Sequence, residues 1–163
     1  MKMHEMKSMP ASEDKTQYRK LTLMVVISFI AMFILMYSMV DKFANVIVNV
    51  NQFYMAGLMT APMIIIEMLL MGSMYMNKKL NLIIISISAV VLIACFFFIR
   101  VQTGVSDKQF LKSMIPHHAA AILMVKGAEI SNPEVKKLAD DIIAAQQKEI
   151  DFMKAKIKEM DNK

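Results

Sequence analysis

Long apolar runs separated by short polar segments fill most of the first hundred residues. Three of these runs are long enough to cross a lipid bilayer: residues 21–40, 53–76 and 80–99. At about 1.5 Å per helical residue, twenty residues match the roughly 30 Å hydrocarbon core of a membrane. The pattern therefore predicts three transmembrane helices within residues 21–100. The polar segment 1–20 shows no sustained period, and we expect it to be a disordered tail.

The pattern changes after residue 100 to a mixed polar and apolar one with a helical period. Ser106, with Gln109 three residues later, matches a capping box and predicts a helix that runs to about Ala128. We expect Pro116 to bend this helix. A second helix is predicted to begin at Asn132, which precedes a proline. Its apolar seam has steps of three or four residues and consists of Val135, Leu138, Ile142, Gln146, Ile150, Met153, Ile157 and Met160.

The short connection at residues 129–131 predicts that the two helices form an antiparallel hairpin. The predicted fold is therefore all-α: three transmembrane helices, then a hairpin domain at residues 101–163 that is half of a four-helix bundle. One partner helix cannot cover a seam that ends in Met153, Ile157 and Met160. We therefore expect a homodimer outside the membrane.

Composition and charge support a membrane protein and set its predicted topology. Hydrophobic residues make up 56% of the 163 residues, and the formal charge is +5. Positive residues lie at 15–20 and at Lys78 and Lys79, whereas the loop 41–52 has only Lys42. By the positive-inside rule the amino terminus is cytoplasmic and the hairpin extracytoplasmic, in the plasma or inner membrane. Residues 101–163 hold ten Lys/Arg and nine acids, which argues against nucleic-acid binding.

The candidate chemistry lies on the first hairpin helix. Met114 is three residues before His117 and four before His118, so both imidazoles can lean toward the sulfur. With Met153 from the second helix, they form a possible two-nitrogen, two-sulfur set. Such donors suit Cu(I), with Ag(I) as a mimic, because Mg²⁺ and Ca²⁺ want oxygen ligands. Ligand histidines must be neutral, so affinity should fall as the pH drops through about 6.5.

A structural alternative exists for each of these features. The histidines are equally compatible with a helix surface, and the methionines with core packing. Glu67, near the middle of the second predicted span, is either an intramembrane site or a protonated residue bonded to Ser86 or Ser88. In the tail, four residues offer either Cu(I) donors or a solvated segment: Met3, His4, Met6 and Met9. The chain has no phosphate-binding loop or nucleophile elbow, and we expect it not to be an enzyme.

Residues 106–155 resemble a known bacterial family, the domain of unknown function three-zero-five. The resemblance rests on Asp107-Lys-Gln-Phe110, Met114-Ile-Pro-His117-His118, Ala121 and Met124, followed by Leu138-Ala139, Ile142, Gln146, Glu149-Ile150 and Met153. The three-span part also resembles membrane-anchored members of that family.

The resemblance implies a ferritin-like helical fold and extracytoplasmic binding of copper and silver. It implies five ligands, namely Met114, His117, His118, Met124 and Met153, and three supporting polar residues, namely Asp107, Gln146 and Glu149. One position departs from the family pattern, because Ala119 follows the histidine pair where Gln is frequent. The Glu-x-x-His pattern of ferritin-like diiron enzymes is absent from the sequence.

Three functions follow as hypotheses. The first is a membrane-anchored protein that captures Cu(I) or Ag(I) for metal tolerance or homeostasis. The second is a transport component that uses the Met-rich spans and Glu67, with the hairpin as receptor. The third is a structural or signalling anchor whose charged last helix, residues 136–158, binds another protein.

Overall fold

The structure is a computed structural model that describes residues 11–162, with side chains from residue 15 onward. Within this range the fold is all-α and contains no strand, as the sequence predicts. The α-helices are α1 (Ala11–Leu35), α2 (Val50–Leu70), α3 (Lys78–Val101), α4 (Asp107–Gly127) and α5 (Pro133–Asp161). Two short 3-10 helices, Met36–Met39 and Phe43–Asn45, lie between α1 and α2.

Three segments are long and apolar enough to cross a membrane: Lys15–Met39, Val50–Leu70 and Lys78–Val101. Only a small part of each segment is buried by other parts of the protein. Apolar side chains that remain exposed on long helices suit contact with lipid, because hydrocarbon tails and these side chains are equally apolar. The expectation of three membrane-spanning candidates is confirmed, while the direction in which each crosses the bilayer stays a prediction.

The predicted disordered tail is wrong for residues 11–20, which form the first turns of α1. Helix nucleation is costly, but extending an existing helix by polar residues is not, so the apolar span supports its own polar extension. The Tyr18 hydroxyl donates a hydrogen bond to Asn81 Oδ1 at 2.6 Å, which ties this extension to α3. The tail methionines and His4 lie outside the described residues.

The second predicted span also differs from the structure, because α2 ends at Leu70 and not at residue 76. Gly72 and Ser73 lie in a turn, in which the backbone N–H of Met74 donates to the carbonyl oxygen of Met71. The side chain of Asn77 then accepts a hydrogen bond from the backbone N–H of Leu80, in the first turn of α3. Hydropathy alone missed this turn because Met74, Tyr75 and Met76 are as apolar as a helix in a bilayer.

The described chain divides into two compact units, and the first comprises residues 11–32 and 56–97. Its core is formed by Leu21, Met68 and Tyr75 from α1, α2 and the turn after α2. Gly57 on α2 faces Cys95 on α3. A Cβ atom added at Gly57 would lie 2.9 Å from the cysteine sulfur, so any side chain at residue 57 would force that sulfur to move.

The second unit comprises residues 33–55 and 98–162, and α4 and α5 pack along each other in it. Lys108 near the start of α4 forms an ion pair with Asp161 at the end of α5, and His118 bonds to Glu149 nearer the middle. The two helices therefore run in opposite directions. Whether they are half of a four-helix bundle stays a prediction. Their shared core consists of Ile115, Ala119, Ile122, Ile150 and Met153.

The two predicted helix starts have different outcomes. Asn132 caps α5 as expected, because its side-chain oxygen accepts hydrogen bonds from the backbone N–H groups of Glu134 and Val135. Ser106 precedes α4 but forms no side-chain cap, so the predicted capping box is wrong. The Gln109 side chain that should complete the box instead accepts a hydrogen bond from the backbone N–H of Val50 at 3.2 Å.

The segment between α1 and α2 folds onto the α4–α5 pair. Val40 and Ile47 pack against the shared core. Asn45 is 2% exposed; its Nδ2 donates to Asp41 Oδ1 at 2.6 Å, and its Oδ1 accepts from the Lys154 ammonium at 2.5 Å. Residues 40–50 thus cover one face of the pair, a contact that no sequence pattern indicated.

Candidate metal site

His118 is held in one orientation by its own helix. The side chain is buried, with the whole residue 8% exposed. Its Nδ1 lies 2.9 Å from the backbone carbonyl oxygen of Met114, one turn earlier in α4. A carbonyl oxygen only accepts, so Nδ1 carries a hydrogen and donates it. This bond fixes the ring and directs Nε2 away from the α4 backbone.

Glu149 on α5 meets that second nitrogen. The distance from His118 Nε2 to Glu149 Oε2 is 2.6 Å, which is short even for a charge-assisted hydrogen bond. Because a carboxylate oxygen also accepts, this second hydrogen bond forms only while Nε2 carries a hydrogen as well. The Nε2 lone pair that a metal ion needs is then used to bind that hydrogen. The sequence placed Glu149 near the histidines but did not indicate this ion pair.

His117 has a different environment from its neighbour, as the 100° step between adjacent helical residues predicts. It is exposed, and its ring centroid is 6.3 Å from that of His118, with the two planes at 66°. Met114, three residues earlier, is half-buried against the α4–α5 core. Met114, His117 and His118 thus lie at one level of α4, with Glu149 across from them.

The other two predicted ligands have different surroundings from the histidines. Met153 is 5% exposed and packs in the core with Ile115, Ala119, Ile122 and Ile150. Met124 is 55% exposed and lies two helical turns beyond His117. Two turns are about 11 Å along the axis, roughly twice the spacing at which side chains on one helix meet. Met124 is therefore separate from the other predicted ligands, whereas Met153 belongs to the core against which Met114 packs.

The remaining candidate positions are near helix ends or outside this group. Asp107 is exposed in the first turn of α4, where a negative charge interacts favourably with the helix dipole. Gln146 is half-buried on α5, one turn before Ile150. Among residues 15–162, no group of three or more His, Cys, Asp and Glu side chains is placed to hold a metal ion.

Glu67 lies near the end of α2 and not in the middle of a span, because that helix stops at Leu70. Its Oε1 accepts a hydrogen bond from the Tyr75 hydroxyl at 3.2 Å. The polar partner thus comes from the turn after α2, whereas Ser86 or Ser88 was expected. Burial first, and the Glu67 carboxylate second, raise the pKa of Tyr75 above its usual value. This arrangement favours a structural role for Glu67.

Comparisons with known proteins match the α4–α5 segment and a longer part of the chain. The family model described as Domain of unknown function (DUF305) matches residues 99–162, which contain both α4 and α5. A viral protein, Uncharacterized protein L153 of Acanthamoeba polyphaga mimivirus, is 39% identical over 137 residues. The chain belongs to the DUF305 family. The match covers 80% of this chain and 86% of the viral protein.

The similarity to the mimivirus protein extends beyond the DUF305 domain, because 137 matched residues exceed the length of the segment 99–162. A part of residues 1–98 of this DUF305 chain therefore has a counterpart in that relative. No solved structure matches the chain. Within the DUF305 domain the structure brings together Met114, His117, His118 and Glu149, all of which the sequence had indicated as ligands or supporting residues.

Proposed function

We propose that this protein is a non-enzymatic, membrane-anchored protein whose α4–α5 pair captures Cu(I), and Ag(I) as its mimic, outside the cytoplasm for metal tolerance or homeostasis. The orientation of His118 is the observation that supports it most. Histidines that ligate metals commonly donate one ring N–H to a backbone carbonyl, which presents the other nitrogen to the ion. The bond from His118 Nδ1 to the Met114 carbonyl oxygen has this form.

In the proposed bound state the ion replaces the proton on His118 Nε2. Glu149 must then release that nitrogen, which its 58% exposed side chain can do by turning toward water. His117 and the Met114 thioether lie at the same level and supply further donors. Imidazole and thioether are soft enough for Cu(I) and, unlike cysteine, cannot form disulfides in an oxidising space. The proposal includes homodimerisation, since one chain offers few donors.

Titration of the full-length protein in detergent with Cu(I), in competition with a coloured Cu(I) chelator, tests the proposal. The background should have Met3, His4, Met6 and Met9 replaced, so that the tail contributes no signal. We expect His117→Ala and His118→Ala to weaken binding, and Lys126→Ala on the same helix to leave it unchanged. Absence of Cu(I) binding in the parent, or equal binding by all three variants, would refute the proposal.

A structural or signalling anchor is the second candidate, and the His118–Glu149 ion pair favours it. An imidazolium that is hydrogen-bonded on both sides needs no metal to be satisfied. In that case the pair fixes the two helices in register, and the exposed charges of α5 bind a partner. This function predicts a partner that co-purifies in the presence of a Cu(I) chelator and is retained by His117→Ala. The Glu67–Tyr75 bond gives no comparable support to a transport role.

A further inference from the structure

The α4–α5 pair has two broad faces, and the chain itself covers only one of them. Gln109 on α4 and Lys154 on α5 contact Val50 and Asn45 of the connecting segment. On the opposite side, His118 and Glu149 contact each other, and nothing from residues 33–55 is bonded to them. One face of this helix pair is therefore open among the described residues of its unit.

The open face has a second apolar stripe on α4. The residues recur at alternating steps of four and three, as in helices that pack against other helices. They are Phe110, Met114, His117, Ala121 and Met124. This stripe differs from the residues that face α5, such as Ile115 and Ile122, which are fully buried. Phe110 is 50% exposed and Met124 is 55% exposed, whereas Met114 between them is half-buried at the edge of the α4–α5 core, so the two ends of the stripe are the uncovered part.

A matching stripe exists on α5 at the same alternating steps. It consists of Leu138, Ile142, Ala145, Glu149 and Phe152. Leu138 is 59% and Phe152 is 66% exposed. Glu149 belongs to this stripe and bonds to His118, the neighbour of His117 in the first stripe. In an antiparallel pair, positions on the same side of both seams form one continuous surface, so the two stripes make a single open face.

We infer that the open face is an interface with the same face of a second copy of this chain, closing a four-helix bundle. The apolar residues of both stripes recur at steps of four and three, which is the spacing of helices that pack against other helices. Contact with lipid would require no regular spacing. A two-fold interface uses the same patch on both copies. The face contains the His117 imidazole and the Glu149 carboxylate, whose Oε2 bonds to His118 and whose Oε1 can pair with His117 across such an axis. Because the connecting segment covers the other face, the assembly stops at two copies.

This interface specifies the surface of the homodimer in the proposed function, but it does not require copper. It also corrects the reason for expecting a dimer. The seam that ends in Met153, Ile157 and Met160 was expected to need a partner chain, yet Met153 is buried within one chain and Ile157 packs against the same core. The uncovered apolar side chains are instead Phe110, Met124, Leu138 and Phe152. His117, the polar member of the α4 stripe, then lies inside the interface, where a single polar residue sets the register of packed helices.

Two adjacent residues give a matched test. Met124 lies on the open face, while Leu123, 37% exposed, points away from it on the same helix. In full-length protein with Cys95→Ala, kept in native membranes and treated with a bifunctional thiol reagent, Met124→Cys should form a covalent dimer. Leu123→Cys should remain monomeric. Equal cross-linking of both variants, or of neither, overturns the assignment of this face.

A second measurement uses charge instead of cross-linking and is made with a Cu(I) chelator present. Light scattering in detergent should give twice the chain mass for the parent and for Leu123→Glu, and the single chain mass for Met124→Glu combined with Phe152→Glu. A monomeric parent, or a dimer that survives both glutamates, contradicts the inference. Since no metal is present, neither result depends on whether the protein binds copper.

Discussion

His118 Nε2 lies 2.6 Å from Glu149 Oε2, and this contact links the candidate metal chemistry to the packing of α4 on α5. The His118 ring is shielded from water, whereas the Glu149 carboxylate is largely in water. Solvent therefore weakens the electrostatic attraction between the two side chains mainly at the carboxylate. In the proposed function the same nitrogen holds a proton and bonds to Glu149, or holds a metal ion and loses that bond. The proposal therefore makes helix pairing and metal binding compete for one atom.

Glu149→Gln tests this competition. The amide cannot stabilise a proton on Nε2 as a carboxylate does, so we expect the variant to bind Cu(I) more tightly than the parent at neutral pH. Without metal it should have a lower thermal midpoint, by an amount equivalent to about 1 kcal/mol after allowance for exposure of the carboxylate. Chelator competition and thermal unfolding followed by circular dichroism measure the two effects.

A lower Cu(I) affinity of Glu149→Gln would contradict this competition. If Glu149→Gln binds Cu(I) more weakly, Glu149 is itself a ligand or orients one, and the proton and the metal ion do not compete for His118 Nε2. Lys137→Gln is a suitable control, because it changes one exposed charge on α5 in an i,i+4 ion pair far from His118. It should alter neither quantity.

Alanine replacements of Met153 and Met124 should differ in their effect on the free energy of unfolding. Met153→Ala removes a side chain from the core and should lower the free energy of unfolding by about 2–5 kcal/mol. Met124→Ala changes an exposed position and should stay within about 0.5 kcal/mol under dimer-dissociating conditions. Denaturant or thermal unfolding of the second unit in detergent gives both values.

A leucine at residue 153 removes the sulfur atom without changing the volume of the side chain much. Met153→Leu keeps the size of the side chain and should cost less than about 1.5 kcal/mol. We expect it to bind Cu(I) like the parent, since Met153 packs among aliphatic side chains. A marked loss of Cu(I) affinity in this variant would show that the core methionine moves to ligate the ion.

Sequence patterns predicted those parts of the structure that depend on local chemistry. The cap at Asn132, the three apolar helices and the level shared by Met114, His117 and His118 all follow from spacing along the chain. Contacts between distant segments could not be predicted in this way. Gln109 looked like a capping residue, and only the fold shows that its oxygen bonds to Val50. The end of α2 was missed because apolar turn residues resemble a span.

Asn45 holds the connecting segment on the α4–α5 pair. Asn45→Ala removes the donor to Asp41 and the acceptor for Lys154, so buried polar groups lose their partners. We expect a loss of about 1–3 kcal/mol in the stability of the second unit. Hydrogen exchange should become faster at residues 40–50. Ala44→Ser, an exposed change next to it, is the control, and exchange that stays slow in Asn45→Ala would show that the apolar contacts of Val40 and Ile47 suffice.

Glu67 provides the last test, through the ionisation of Tyr75. Burial and the nearby carboxylate both disfavour the tyrosinate, so the folded protein has a raised pKa at Tyr75. The contribution of this group to stability is therefore complete below the ordinary tyrosine pKa of about 10 and is lost as the pH rises through the raised value. Glu67→Gln removes the carboxylate charge and should shift the titration of Tyr75 to lower pH, without reaching the ordinary value because burial remains.

Difference absorbance of the phenolate in the parent, Glu67→Gln and Tyr75→Phe identifies the transition of Tyr75. An unchanged titration in Glu67→Gln would mean that the 3.2 Å hydrogen bond between the two side chains does not form in the membrane.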